Sequence, residues 1–464
     1  MVDAIPGSPF RAVRAVAGKD SATASMNPSA GIGPWAVASV LTHAIAILIL
    51  SLLCLGGPQA DQGIDMTTTL SNKEPTAVEP ETPSLPADTG IDDDSMDETE
   101  TQWIPEGEAV GDAFSSDLPA FPVIRDQNVR EFRNSARAVD LGLQWLAQHQ
   151  ESDGHWDTRK WGGYGDYDPG VCGLALLAFA GYGHTERSGK YMRVVRKAID
   201  WLASQQDDKG NFAPHTTMYS HAIPTLALLE EVAMCPVPRT CEMAMRGFEY
   251  LLSVRNDGKA WRYWPKDNDN DVSVTTWCVM AVKAAKVAGC EIPTAVWEGV
   301  RDFLDEVTEP DSGEVGYRCR PSEKNPRQPQ WKYSMTACGL LCRLYMGMSS
   351  DDPLIQNGAL ILLDNLPEWN QPGIGSQFYL YWFYGTLVFF QIGGESWKKW
   401  GSDTSNMLTT HQNMTQGNLR GSWDPAPSVF YSTMGGRVYS TAVAVLTLEI
   451  HCRYKIMAKA SPGK

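Results

Sequence analysis

The chain has 464 residues and a net charge of −16, room for two or three average domains. The acidity is local: residues 57–120 carry −15 and residues 1–56 carry +1, which leaves about −2 for residues 121–464. A body so close to neutral gives no electrostatic reason to bind nucleic acid, and no such partner is expected.

Residues 1–34 read as a short N-terminal tail. From Trp35 to Leu55 runs an uncharged apolar stretch of 21 residues, WAVASVLTHAIAILILSLLCL. As an α-helix it would span roughly 31 Å, the thickness of a bilayer core. A cleaved signal peptide would have a shorter apolar core and a small-residue cleavage site, and Gly57-Pro58-Gln59-Ala60 is a poor one. A lipoprotein signal would want a small residue before the cysteine, but Leu53 precedes Cys54. The stretch therefore predicts a single transmembrane signal-anchor, with the lipid bilayer as its partner. Arg11, Arg14 and Lys19 lie on its N-terminal side and the acidic run on the other. The positive-inside rule then keeps the N-terminus cytoplasmic and sends the body outward. Residues 56–130 are rich in Asp, Glu, Pro, Thr and Ser and have no apolar period. Such a segment cannot bury enough surface to offset its ordering entropy, so it reads as a disordered tether.

Residues 131–456 repeat themselves, and residues 457–464 form a tail. LGLQWLAQHQESDGHW, AIDWLASQQDDKGNF and GFEYLLSVRNDGKAW each end an apolar-striped helix with a ring and a Leu. A polar stretch, a Gly and a second ring follow. Trp145, Trp201, Tyr250 and Phe303 hold the first ring in four units, and Leu362 and Met407 hold it in two weaker ones, at intervals of 45 to 59 residues. Gly154, Gly210, Gly258 and Gly313 follow it. Each unit then supplies a second, more apolar helix, beginning near residues 169, 219, 271, 333, 378 and 439. A half-polar helix faces water on one side and an apolar one is buried all round. Six alternating outer and inner helices predict an all-α closed (α/α)6 toroid, with an open solenoid as the alternative. Closure is favoured because neither terminal inner helix has a polar capping face.

The pattern Gly142-x-x-Trp145-Leu146-x-x-x-Gln150-x-x-x-Gly154-x-Trp156 resembles the QW repeat of squalene–hopene and oxidosqualene cyclases. That repeat recurs in looser form in the protein prenyltransferase β-subunits. Gln206, Gly210 and Phe212 carry it one unit on, Arg255, Gly258 and Trp261 in the third, and Gly421-Ser422-Trp423 in the last. The resemblance covers about residues 130–455 and implies a relative of the terpene cyclase and prenyltransferase toroids; the chain departs from the two fused helical domains of the triterpene cyclases in having room for one, and the anchor is read from Trp35–Leu55.

Fold is not function, and a site must match its own motif residue by residue. The cyclase acid motif is Asp-x-Asp-Asp-Thr at the start of an inner helix, and this chain has Asp269-Asn270-Asp271-Val272-Ser273 there. Asp269 and Asp271 match, Ser273 is similar, and Val272 replaces a carboxylate. Paired carboxylates in an apolar site can raise one pKa enough to yield a proton donor. The competing reading makes Asp271 a helix cap. The prenyltransferase zinc site needs Asp-x-Cys, whereas Asp168 stands four residues before Cys172, and the thioester motif is absent. No metal site and no cofactor are expected.

Polar residues recur where inner helices begin: Asp168, Tyr219, Ser220, His221, Tyr333, Ser334, Tyr439 and Ser440. They are either caps or a ligand-binding rim, and His221 is the lone acid–base candidate among them. Tyr379, Tyr381, Trp382 and Tyr384 are either core or the wall of an apolar or sugar-stacking cavity. Cys235 and Cys241 flank a Pro-rich loop; they are either free thiols or a pair that could form in an oxidising compartment. The favoured function is a binding or scaffolding toroid held outside the membrane. The alternatives are an isoprenoid-handling enzyme of the cyclase type and a sugar-active (α/α)6 enzyme.

Overall fold

A computed structural model describes residues 130–321, 332–369, 378–415, 417–425 and 430–453. The expected tail, transmembrane helix and tether of residues 1–129, and the tail 457–464, lie outside the described residues. Among the described residues there is no β-strand, only an isolated antiparallel bridge between Thr308 and Val315. No helix among them is long and apolar enough to cross a membrane.

The described helices are α1 (Arg130–Gln148), α2 (Asp168–Gly181), α3 (Met192–Gln205), α4 (Tyr219–Met234), α5 (Pro238–Ser253) and α6 (Val272–Val287). They continue as α7 (Thr294–Val307), α8 (Lys332–Tyr345), α9 (Pro353–Leu363), α10 (Phe378–Ile392), α11 (Gly394–Thr410) and α12 (Phe430–Arg453), and a short 3-10 helix covers Thr158–Trp161. The odd-numbered helices are striped. α3 buries Val195, Ala198, Ile199 and Leu202, and α7 buries Val296, Val300, Phe303, Leu304 and Val307, the spacing of one helical face. The even-numbered helices are sheathed: every residue of α2 except Pro169 is buried. Consecutive even-numbered helices pack together from α2 through to α12, and α12 also packs on α1 and α2. The α2–α4 contact is especially close, because Gly170 lies against Ser220 and Gly173 against Pro224.

The repeat is explained by one recurring joint between a loop and the next outer helix. The Gln150 Nε2 donates to the carbonyls of Gly154 in its own loop and Val194 at the start of α3, both at 2.9 Å. Gln206 does the same to Gly210 (3.2 Å) and to Met243 on α5 (3.0 Å). Gln412 does it to Gly421 (2.9 Å) and to Ala138 on α1 (2.8 Å). Arg255 replaces the amide in the third unit and reaches the Lys259 carbonyl at 2.8 Å. Beside the amide, Gly210 turns the chain with φ +95° and lies against the Arg246 carbonyl of α5, and Gly421 repeats this with φ +92° against the Leu141 carbonyl of α1. The second ring closes each unit on itself: the indole N–H groups of Trp156, Trp261 and Trp423 donate to the carbonyls of Leu146, Leu251 and Leu408 at 2.7–2.8 Å.

The first ring is less uniform than its sequence suggests. Trp145, Phe303 and Leu362 are buried, but Trp201 and Tyr250 are only half-buried. Trp145 donates to the Asn418 carbonyl, whereas Trp201 stacks on the His155 imidazole at 5.0 Å. Cys235 and Cys241 are free thiols, and Cys172, Cys278, Cys338 and Cys342 are buried on even-numbered helices.

Two comparisons in urea unfolding test this joint. Gly210→Ala combines positive-φ strain with a collision against the Arg246 carbonyl and should cost about 3 kcal/mol, whereas Gly258→Ala, with open space around it, should cost about 1–2 kcal/mol. Trp145→Ala should cost about 3–5 kcal/mol and the half-exposed Trp201→Ala clearly less. Equal losses within either pair would mean that the joint does not hold the units together.

Candidate functional site

The loops that follow the second ring lead into the even-numbered helices, and they are tied to one another across units. The Met218 N–H donates to the Tyr263 carbonyl at 2.9 Å, and the Val272 N–H donates to the Tyr317 carbonyl at 3.1 Å. Side chains continue the stitching. The Tyr219 hydroxyl, half-buried at the start of α4, donates to Ser273 Oγ at 2.6 Å. Ser273 in turn donates to Asp271 Oδ1 at 2.7 Å. The hydroxyls of Tyr263 and Tyr317 meet at 2.5 Å.

Asp271 is the N-cap of α6. Its backbone is extended and its Oδ1 accepts the Val274 N–H at 2.8 Å. The residue is fully buried. Its Oδ2 makes no hydrogen bond and faces the Arg262 Nε at 3.9 Å. Burial pushes its pKa up to about 6, against the pull of the Val274 and Ser273 hydrogen bonds and the Arg262 charge. Asp269 does not pair with Asp271. Its carboxylate is held between the guanidinium groups of Arg262 and Arg318, the latter from the next unit. Val272, where a cyclase keeps a second adjacent carboxylate, is buried.

The other candidates separate by environment. His221 sits in the core, stacked on Phe212 at 5.7 Å and edge-on to Tyr250 at 4.8 Å. Its Nδ1 accepts the Phe212 N–H and its Nε2 faces the Gly247 carbonyl at 3.1 Å, so both nitrogens are engaged by backbone. Burial lowers its pKa to about 3, leaving a neutral ring. Asp168 is buried and accepts the Thr158 N–H and hydroxyl at 3.2 and 2.8 Å, which holds the 3-10 helix to the start of α2. Desolvation raises its pKa. Tyr381 is buried against Trp400 with its hydroxyl on the Asn365 carbonyl, and Trp382 clusters with Tyr379 and Trp369. Tyr333 is half-buried, 6.1 Å from Tyr381, and Tyr439 is buried beside Tyr379. The structure thus brings together Tyr219, Asp269 and Asp271, and keeps His221 apart from them in the core.

Arg262, Tyr263, Ser273, Tyr317 and Arg318 complete the cluster, and of these Tyr317 and Arg318 have no local sequence signal as site residues. Register offers one: Tyr263 and Tyr317 fall two residues after the second-ring positions Trp261 and Val315 of adjacent units. No group of metal-ligating side chains occurs among the described residues.

The raised pKa of Asp271 gives a signed prediction. Between the ordinary value of 3.8 and about 6, the folded protein holds a proton that the unfolded chain has released. Stability therefore falls as pH rises across that window, by up to about 3 kcal/mol. Asp271→Asn keeps the cap and stays neutral, so it should match the wild type near pH 3, below both values, and exceed its stability near pH 8 in urea unfolding. Asp271→Ala should lose about 1–2 kcal/mol near pH 3, where the wild-type carboxyl is neutral in both folded and unfolded chains. An Asn variant less stable than the wild type near pH 8 would show that the charge is needed.

Comparison with known proteins speaks to the fold. No protein-family model matches the chain. A squalene–hopene cyclase of Bradyrhizobium diazoefficiens is 27% identical over 166 residues, covering 33% of this chain and 24% of that protein, so the match spans about a quarter of the relative's length. An inactive variant of the α-1,6-mannanase of Salegentibacter sp. HEL1_6, in complex with α-1,6-mannotriose, superposes with a TM-score of 0.51 at 10% identity over 68% of this chain and 98% of that one. A type II terpene cyclase from Scytonema, in complex with geranylgeranyl dihydroxybenzoate, gives a TM-score of 0.49 at 11% identity over 69% and 98%. At 10% identity the mannanase match speaks to the all-helical fold alone.

Proposed function

We propose that this chain is a membrane-anchored, extracytoplasmic toroid that binds a ligand at the rim where its inner helices begin, without cyclase or prenyltransferase chemistry. The observation that carries this reading is the use made of Asp271. The carboxyl at the cyclase acid position has one oxygen committed to capping α6 and the other turned towards a guanidinium. Asp269, its nearest acidic neighbour in the motif, is bound to two arginines and is not poised to share a proton. What remains at the rim is recognition chemistry: phenol hydroxyls, guanidinium groups and a carboxylate held in fixed positions across units.

Closure of the body as six hairpins is part of the same proposal. It is supported by the packing of α12 on α1 and α2, and by the Gln412–Ala138 and Gly421–Leu141 contacts, which repeat between the last and first units the joint seen between internal ones. Anchoring by residues 35–55, with the N-terminus cytoplasmic, rests on the uncharged stretch and the charge asymmetry around it.

A second reading, an acid-type enzyme acting on an isoprenoid, is favoured by one observation, the buried Asp271 carboxyl whose pKa is raised to about 6.

Two experiments decide. Protease added to intact spheroplasts should release a folded fragment by cutting between residues 57 and 130, and complete protection of the body would overturn the orientation. The purified protein incubated with squalene and shorter polyprenyl substrates should yield no cyclised product. Turnover that is lost in Asp271→Asn at a melting temperature no lower than the wild type's would make the protein an enzyme.

A further inference from the structure

We propose that the loop 262–271, together with Arg318, is a binding platform for neutral glycans. This deepens the rim reading above and rests on it.

The first observation is where apolar surface is left in water. The large apolar side chains exposed among the described residues include two aromatic ones, Tyr164 and Trp264. Both lie on loops entering inner helices, α2 and α6. Trp264 is 52% exposed, in the same loop as Arg262 and Asp269. An indole has an apolar face and a single N–H donor, which suits the C–H face of a sugar ring.

The second observation is that this loop is held rigid before any ligand arrives. Lys266 and Asn268 adopt positive φ, +49° and +60°, a conformation that non-glycine residues rarely take unless their surroundings impose it. The clamp is the buried Asn256. Its Nδ2 lies within hydrogen-bonding distance of Asn270 Oδ1 at 3.1 Å and Asp267 Oδ1 at 3.4 Å, and its Oδ1 accepts the Asn268 N–H at 3.1 Å. The Lys266 N–H is tied to the Val254 carbonyl at 3.2 Å. A loop ordered in this way loses little entropy on binding.

Charge and hydrogen-bonding capacity then select the ligand class. Arg262 and Arg318 are balanced by Asp269 and Asp271, so the cluster offers no net field to a phosphate or carboxylate. An isoprenoid would strip water from these ions and give no hydrogen bond in return. A neutral sugar gives both donors and acceptors. The side chains of Arg262, Asp269 and Arg318 are 23%, 30% and 46% exposed, open enough to be reached yet fixed by one another.

The test is a glycan array carrying short oligosaccharides of mannose, xylose, glucose and galactose, probed with the detergent-solubilised full chain, with calorimetry on any sugar that binds. Trp264→Ala should weaken binding about ten-fold or more at unchanged melting temperature, and Arg318→Gln should do the same, while Tyr379→Phe leaves it unaltered. Farnesol and inorganic phosphate serve as the apolar and anionic probes. An array with no bound sugar, or binding indifferent to Trp264→Ala and Arg318→Gln, overturns the glycan proposal. Farnesol bound in an Arg318-dependent way would overturn it while leaving the rim reading standing, and the absence of any rim-dependent probe would remove both.

Discussion

A carboxamide has two protons on one nitrogen, and the architecture of this chain depends on how Gln150, Gln206 and Gln412 spend them. Each gives one proton to a carbonyl of its own loop and one to a carbonyl of the next outer helix. The bridge works only if the loop comes within van der Waals contact of that helix. Gly210 and Gly421 make this possible, since the place of a Cβ is taken by a helix carbonyl. Backbone carbonyls in the interior of a protein need partners, and an unpaired one is destabilising. The bridging amide satisfies two of them at every joint it serves. The hydrophobic stripe says that an outer helix must be covered; the amide and the glycine say by what and in which register.

This explains which parts of the fold are legible in the sequence. The rings, the glycines and the two classes of helix are local features, and they can be read from a single chain. Gln412 escapes the repeat because nine residues separate it from Gly421, whereas four separate Gln150 from Gly154. Its amide nevertheless makes the same two bonds, so the physical constraint outlasts the spacing. Trp201 errs in the other direction. It carries the same letter as Trp145, but its ring is partly open to water because its partner is a surface imidazole.

The site is legible in its carboxylates and in the helix-start residues Tyr219 and Ser273, but not in its guanidinium groups. Asp269 and Asp271 announce themselves as a motif at a helix start. Their guanidinium partners do not, because Arg318 belongs to the following unit and meets Asp269 only once the loops are laid side by side. The helix-start positions Tyr219 and His221 look equivalent in sequence and diverge completely in space. Two residues along an α-helix is about 200° of rotation, which turns Tyr219 towards Ser273 and His221 towards Phe212 and Gly247.

The position of Asp271 also limits what chemistry its carboxyl can perform. Oδ1 accepts two hydrogen bonds, from Ser273 and Val274, so a proton would have to sit on Oδ2. That oxygen looks at the Arg262 guanidinium, which carries only donors. Burial favours the neutral acid, while the arginine and the cap favour the anion, and the balance leaves a group whose pKa is about 6. At neutral pH it is mostly ionised. An ionised, buried carboxylate is a poor acid for an alkene, but it is a good counter-ion, and here it helps to fix a guanidinium that also holds Asp269. The residue types of the cyclase motif are thus tied here, beside an apolar Val272 and a neighbouring arginine, into one network of fixed charges that runs from Asp271 through Arg262 and Asp269 to Arg318.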